Sequence, residues 1–275
     1  MKQPKAFASI PVPERTEKPR EVGISMIIDW GMGLSLQEDS IEGPSEYIDL
    51  AKVAAGISRL YSADYLKRKI ELYREYDIDP FPGGLFFELA YKQGTWEKFI
   101  EEALEVGYRA IEVSDNLLDI EAKEKHHAIK KIVEEMGVEV HGEVGKKEGA
   151  GADDDALVED IEGCLAAGAR NVFVEAVELF VGGFNESLIR KIFERFPMRS
   201  VIIELPVLIL PGTHHYDVCE IASKLISRLG PDINLANIYP ADIWIIELLR
   251  RGMAGDTSNP LGAYRLAGFE DKSTT

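Results

Sequence analysis

Cysteine is scarce in this chain, and that scarcity removes several classes of protein at once. Among its 275 residues only Cys164 and Cys219 are cysteines. Neither belongs to a CxxC pair or to a Cys/His spacing, which excludes a disulfide-built scaffold and a structural zinc site. Long apolar runs are missing too. No stretch approaches the ~18 residues that a membrane-spanning helix needs, and the N-terminus has no apolar core of a leader peptide, so a cytoplasmic protein is expected. Basic residues are outnumbered, 31 against 48 acidic, for a formal net charge of −17. Such an excess disfavours nucleic acid and anionic membranes as partners, and a small anionic ligand then needs a pocket with its own local positive charge.

What is present is a large apolar fraction, 45%, and a regular alternation of short apolar runs with amphipathic segments. Residues 1–21, MKQPKAFASIPVPERTEKPRE, hold four prolines and many charges without periodicity. They read as an N-terminal arm, lying on the surface or on a neighbouring subunit. Apolar Phe7, Ile10 and Val12 in an arm with no core of its own predict a homo-oligomer.

Strand-like runs then appear at 24–29, 47–55, 78–84, 110–115, 138–144, 171–176, 200–206 and 233–238. Helical periodicity fits 62–77, 96–107, 121–137, 154–168, 185–196, 215–230 and 241–252, with Ser62 as an N-cap and Gly107 and Gly137 as left-handed stops. Strands separated by helices imply right-handed crossovers and a parallel sheet. Eight of them suit a single-domain (β/α)8 TIM barrel over 22–252, followed by a tail at 253–275. A doubly wound open sheet shares the alternation, but no GxGxxG follows an early strand.

In a barrel the reactive groups stand where strands end. Those positions hold Asp29, Lys52, Gly83, Gly84, Ser114, Asp115, Glu143 with Lys146, Glu175, Glu204 and Asn237. Five carboxylates converging on one rim require compensation by protons or a cation. Hard oxygen donors without thiols or an HxH spacing point to Mg²⁺. Glu143, Glu175 and Glu204 are the candidate ligands; Asp29, Gly83, Gly84, Ser114, Asp115 and Asn237 are candidates for binding substrate. Lys52 and Lys146, with Glu143, are the candidate catalytic groups, since a lysine inside a ring of acids balances them, binds an anionic substrate or donates a proton. His214 and His215 fall in a loop before a helix, where packing at the helix start is the expected role. His141 shares the parity of Glu143 and either faces the barrel interior at the site or stacks in a side-chain layer.

FPGGLFFELAY (81–91), AIEVSDNLLDI (110–120), EVGKK (143–147), INLANI (233–238) and ELLRRGMAGDT (247–257) occur in this order and spacing. Together they resemble the phosphosulfolactate synthase family of coenzyme M biosynthesis, over about 24–257. The resemblance implies a barrel, Mg²⁺ and the addition of sulfite to phosphoenolpyruvate, with Lys146 as the acid and Glu143, Glu175 and Glu204 near the metal. It is imperfect. Trp30 stands where the family tends to carry lysine, Val177 where an arginine would face phosphate, and 204–217 reads ELPVLILPGTHHYD where polar residues are usual. Each change removes a donor and adds apolar surface. The resemblance therefore carries two expectations: a lyase that keeps the parent reaction or takes a less anionic, more apolar substrate, and a non-catalytic scaffold like the family's plant heat-stress relatives.

Overall fold

A computed structural model describes residues 5–118, 120–145, 153–180, 184–209 and 211–254. Its eight strands are β1 (Ser25–Asp29), β2 (Leu50–Val53), β3 (Asp79–Pro82), β4 (Ala110–Val113), β5 (Glu139–Val144), β6 (Asn171–Val174), β7 (Val201–Glu204) and β8 (Leu235–Ile238). All hydrogen-bonded pairs are parallel, and the order β3-β2-β1-β8-β7-β6-β5-β4 becomes a nearly closed ring because β3 and β4 lie side by side. This is the (β/α)8 barrel, in a single domain.

Ten α-helices are described: α1 (Leu34–Ile41), α2 (Ala63–Glu75), α3 (Gly84–Lys92), α4 (Trp96–Val106), α5 (Ala122–Met136), α6 (Asp154–Ala166), α7 (Ala176–Phe180), α8 (Glu186–Arg195), α9 (His215–Leu229) and α10 (Ile243–Arg250). Ser62 caps α2 by accepting from the Tyr65 amide at 3.4 Å, while Gly107 and Gly137 stop α4 and α5 with φ of 112° and 66°. All eight strands are shorter than the runs read from sequence, and for two of them the neighbouring structure shows why. Residues 45–47 form a 3-10 turn before β2, and the chain turns helical at Gly84, because helix α3 starts where the apolar run FPGGLFF continues. Helices α1, α3 and α7 fall in stretches where no helix is expected from periodicity.

Strand alternation sets the interior. Met26, Leu50, Phe81, Ala110, Phe173, Ile202 and Ala236 form a buried apolar layer inside the ring. The residues two positions further on, toward the C-terminal mouth, include Ile28, Lys52, Glu112 and Glu204. A polar storey thus sits on an apolar one. His141 belongs to the packing beneath: its ring lies 4.9 Å from Phe81 and 5.5 Å from Phe173, with Nδ1 3.0 Å from Asn171 Oδ1. Burial pushes the imidazole down to about 3, so it is neutral at physiological pH.

The arm lies against the N-terminal end of the barrel. Arg15 pairs with Glu247 at 3.1 Å, Arg20 with Asp49 at 3.0 Å, and Arg251 donates to the Pro13 carbonyl at 2.6 Å. Phe7 and Ile10 are exposed. Arg250 turns under the strands, donating to the carbonyls of Pro231 and Ile233, both at 2.6 Å. Both thiols are free, Cys164 buried and Cys219 half-buried. No described helix is long and apolar enough to cross a membrane.

Candidate active site

A cavity of about 200 Å³ opens at the C-terminal mouth, and Lys52, Glu112 and Glu143 are the charged side chains that line it. The Lys52 ammonium lies 2.6 Å from Glu112 Oε1 and 2.5 Å from Glu204 Oε1. Beneath it is the face of Phe173, its centroid 5.0 Å away. The ring's quadrupole adds to the attraction and keeps water from the underside. Glu112, Glu204 and Glu143 together raise the lysine well above its ordinary range against the opposing effect of burial. Glu112 is itself raised by burial, though Lys52 pulls the other way. At neutral pH Lys52 is therefore a fixed cation.

Carboxylate oxygens of Glu112, Glu143 and Glu204 lie within 4.8 Å of one another. Asn116 donates to Glu143 Oε1 at 2.6 Å, and the Gly84 amide donates to Glu112 Oε2 at 2.5 Å. Only glycine allows that approach, since a Cβ on Gly84 would meet Ser114 Oγ at 2.5 Å and Glu112 Cγ at 3.2 Å. Gly83 is equally confined, by the backbone of Ala55 at 2.8 Å. Asn237 holds a left-handed φ of 58°, donates to the Leu205 carbonyl at 3.3 Å and leaves Oδ1 buried without a hydrogen-bond partner. The Oδ1 of Asn116 is in the same state. Two acceptors at or beside the mouth are thus available to a ligand or its water.

Lys52, Gly83, Gly84, Glu143 and Asn237 line this cavity, and Glu204 reaches it through Lys52. Other expected site residues lie elsewhere. Asp29 faces away from the interior: Oδ1 accepts from the Gly31 and Met32 amides, both at 2.8 Å, and Oδ2 from Tyr73 at 2.7 Å and Lys69 at 2.5 Å. Ser114 donates to Glu88 at 2.5 Å, and Asp115 pairs with Lys125 at 2.8 Å. Glu175 is buried beside Gly145 and is not one of the three clustered carboxylates; Glu112 holds that place. His214 caps α9 together with Asp217, and His215 pairs with Asp242 at 3.3 Å. Lys146 and Lys147 lie outside the described residues.

Glu112, Asn116 and Glu88 are the residues that sequence reading passes over. Glu88, fully buried on α3, accepts from Ser114 Oγ and from the amides of Asn116, Leu117 and Leu118. It thereby shapes the β4–α5 loop that delivers Asn116 to Glu143. Only Glu112 left a usable signal: it shares the inward parity of Ala110, two residues before it. The rim itself is apolar, with Trp30, Leu117, Val207 and Ile209 around the opening.

Fold and geometry define a (β/α)8-barrel protein with a buried lysine–carboxylate centre at the C-terminal mouth. The (2R)-phospho-3-sulfolactate synthase model matches residues 13–256. The phosphosulfolactate synthase of Methanothermobacter thermautotrophicus is 35% identical over 259 residues, covering 89% of this chain and 95% of the relative. That of Bacillus subtilis is 35% identical over 256 residues, covering 90% and 97%. The chain belongs to the phosphosulfolactate synthase family. Protein HEAT-STRESS-ASSOCIATED 32 of Arabidopsis thaliana is more distant, 20% identical over 267 residues, with 86% and 88% covered. Among solved structures, the YdjI aldolase of Escherichia coli K12 superposes with a TM-score of 0.53 at 12% identity, covering 90% of this chain and 93% of that one, which reflects the shared barrel alone.

Proposed function

We propose that this protein makes phosphosulfolactate, the product in the names of its relatives, by adding sulfite to phosphoenolpyruvate at the Lys52 centre. The observation that carries the reading is a buried ammonium held at the cavity by two glutamates, with a third alongside. In the reaction the sulfite sulfur forms a bond to the methylene carbon, and the alkene π pair moves into the carboxylate as an enediolate. An acid then donates a proton to the carbon bearing the phosphate, which closes the enediolate back to a carboxylate. Lys52 suits the charge-stabilising role, because it stays protonated and its positive charge is already oriented when the enediolate forms. The same property argues against Lys52 as the proton donor. Lys146, three residues beyond Glu143 in sequence, is the acid we assign.

The residues fit Mg²⁺. Three carboxylates and no thiol or imidazole form a hard oxygen set, and Glu112, Glu143 and Glu204 are the groups we propose would hold it. When bound, Mg²⁺ would neutralise the developing enediolate charge. The buried acceptors of Asn116 and Asn237 would orient its waters or those of the substrate.

Phosphorus NMR of the protein with phosphoenolpyruvate, sulfite and Mg²⁺ tests the reaction; the expected result is a new phosphate-ester resonance that requires sulfite. No turnover at high protein concentration would remove this substrate pair. Titration with Mn²⁺ followed by EPR tests the metal reading. Weakened binding in Glu112→Gln and unchanged binding in Glu175→Gln are expected.

A second reading, addition to a less anionic acceptor, is favoured by the lining itself. Lys52 is the lone cation among the described residues around the cavity, while Trp30, Leu85, Leu117, Val207 and Ile209 wall it. Turnover of a neutral or monoanionic alkene acceptor, without turnover of phosphoenolpyruvate, would support it. We also propose a homo-oligomer, from the exposed Phe7 and Ile10 of the arm; light scattering that returns a monomer mass would refute this.

A further inference from the structure

A second cavity, about 640 Å³, opens at the opposite end of the barrel, where the strands begin. In a chain of net charge −17 its lining is unexpectedly basic, with Lys18, Arg20, Arg74, Arg109 and Arg170 contributed by the arm, α2 and the loops before β4 and β6. Two of these cations are neutralised locally. Arg20 pairs with Asp49 at 3.0 Å and Arg170 with Glu139 at 2.7 Å.

The other three form no ion pair among the described residues. Among the described residues Lys18 donates to the backbone carbonyl of Asp77, at 2.8 Å. Arg74 has its Nε buried without a hydrogen-bond partner, and Arg109 lines the cavity beside it. Burial and the nearby Arg109 both push Arg74 down, while Asp79 opposes them in part. Burial pushes Lys18 down to about 8, and Arg20 adds to that, while Asp49, Asp77 and Asp79 pull back only in part.

Asp49, Asp77 and Asp79 line the same cavity, but five cations outnumber these three acids, and Lys18, Arg74 and Arg109, from three elements, face it with no ion pair among the described residues; a bound anion would offset that local excess of positive charge. Guanidinium forks suit the oxygen pairs of phosphate and carboxylate groups. A cavity of this size falls in the range of small-molecule sites, roughly 300–1,000 Å³.

We infer that the N-terminal end of the barrel is a binding site for a small multivalent oxyanion, an organic phosphate or a polycarboxylate, separate from the C-terminal mouth. Because Lys18 and Arg20 belong to the arm while Arg74 and Arg109 belong to the barrel, the ligand would fasten one to the other. Binding is thus expected to raise the melting temperature.

Isothermal titration and thermal shift on the full chain test this, with pyrophosphate and citrate as separate probes, no added divalent metal, and sodium chloride at matched ionic strength as the control. Saturable binding is expected for at least one probe, and which one binds distinguishes phosphate from carboxylate recognition. Each arginine removed in Arg74→Gln and Arg109→Gln should weaken binding about tenfold or more. Lys52→Met should bind as wild type. Affinity should also fall as pH rises through about 8, where Lys18 loses its proton; this limb should vanish in Lys18→Gln, which also serves if the arginine variants do not fold. Absence of saturable binding by either probe overturns the inference. So does wild-type affinity in the Arg74→Gln/Arg109→Gln variant, or binding abolished in a Lys52→Met variant that still melts cooperatively.

Discussion

Lys52→Met isolates the charge balance of the mouth. The lysine is 4% exposed, and its partners Glu112 and Glu204 are 1% and 0% exposed. Methionine keeps the length of the side chain and its contact with Phe173 but withdraws the ammonium that lies 2.6 and 2.5 Å from the two carboxylates. Removing one partner of a buried pair typically costs about 3–5 kcal/mol, far above the ~0–1 kcal/mol of a surface pair. Without Lys52 the Glu112 carboxyl would rise further, since Lys52 lowers it against burial. A carboxyl whose folded pKa lies above its unfolded value contributes stability below the unfolded pKa and loses it as pH rises through the folded one. The deficit should therefore grow from pH 5 to pH 8. Urea denaturation of both proteins across that range, with EDTA present, measures it. Adding Glu112→Gln to the variant should recover about 1–3 kcal/mol, because the two residues interact directly. A loss below about 1 kcal/mol, or one independent of pH, would refute the reasoning.

Other changes should act through geometry described above. Gly84→Ala places a methyl within 2.5 Å of Ser114 Oγ and should displace Glu112, costing about 1–3 kcal/mol and most turnover; denaturation and phosphorus NMR measure the two effects. Glu88→Gln turns an acceptor of four donors into one that meets at least one N–H or O–H with its own NH₂ group. A loss of about 3 kcal/mol and faster proteolysis around residue 117 are expected. His141, neutral because burial holds it near 3, should make stability fall as pH drops from 6.5 toward 3, by up to about 1.4 kcal/mol per pH unit, because the unfolded chain takes up the proton first. His141→Phe should flatten that limb in pH-dependent denaturation.

The barrel was legible because its evidence is periodic. Apolar runs separated by amphipathic helices need no knowledge of distant contacts. The helices that escaped reading, α1, α3 and α7, are short or begin on glycine, and they are stabilised by docking rather than by their own pattern. At the site, alternation explains both success and failure. Lys52, Glu143 and Glu204 share the inward parity of the residues two positions before them, whereas Asp29 follows inward Ile28 and so points out. Glu112 stands inside β4 rather than at its end, so a search of strand ends passes it. Lys125 is a different case. It sits in the charged stretch EAKEKHHAIKK yet is fully buried, because Asp115 and Asp160 approach it to 2.8 and 2.7 Å from other elements. Such a contact between segments 35 residues apart leaves no trace in local pattern.

The four contacts of Asp29 have a consequence for how this mouth can change over generations. They fasten residues 30–32 from below, through Tyr73, Lys69 and the loop's own amides, none of which lies in the cavity wall. Trp30, 37% exposed at the rim, contributes nothing to that fastening. The loop thus behaves as a socket with one exchangeable position, where a different side chain can be presented to a ligand without rebuilding the backbone that carries it. Variation in what the mouth accepts can accumulate there first, decoupled from folding.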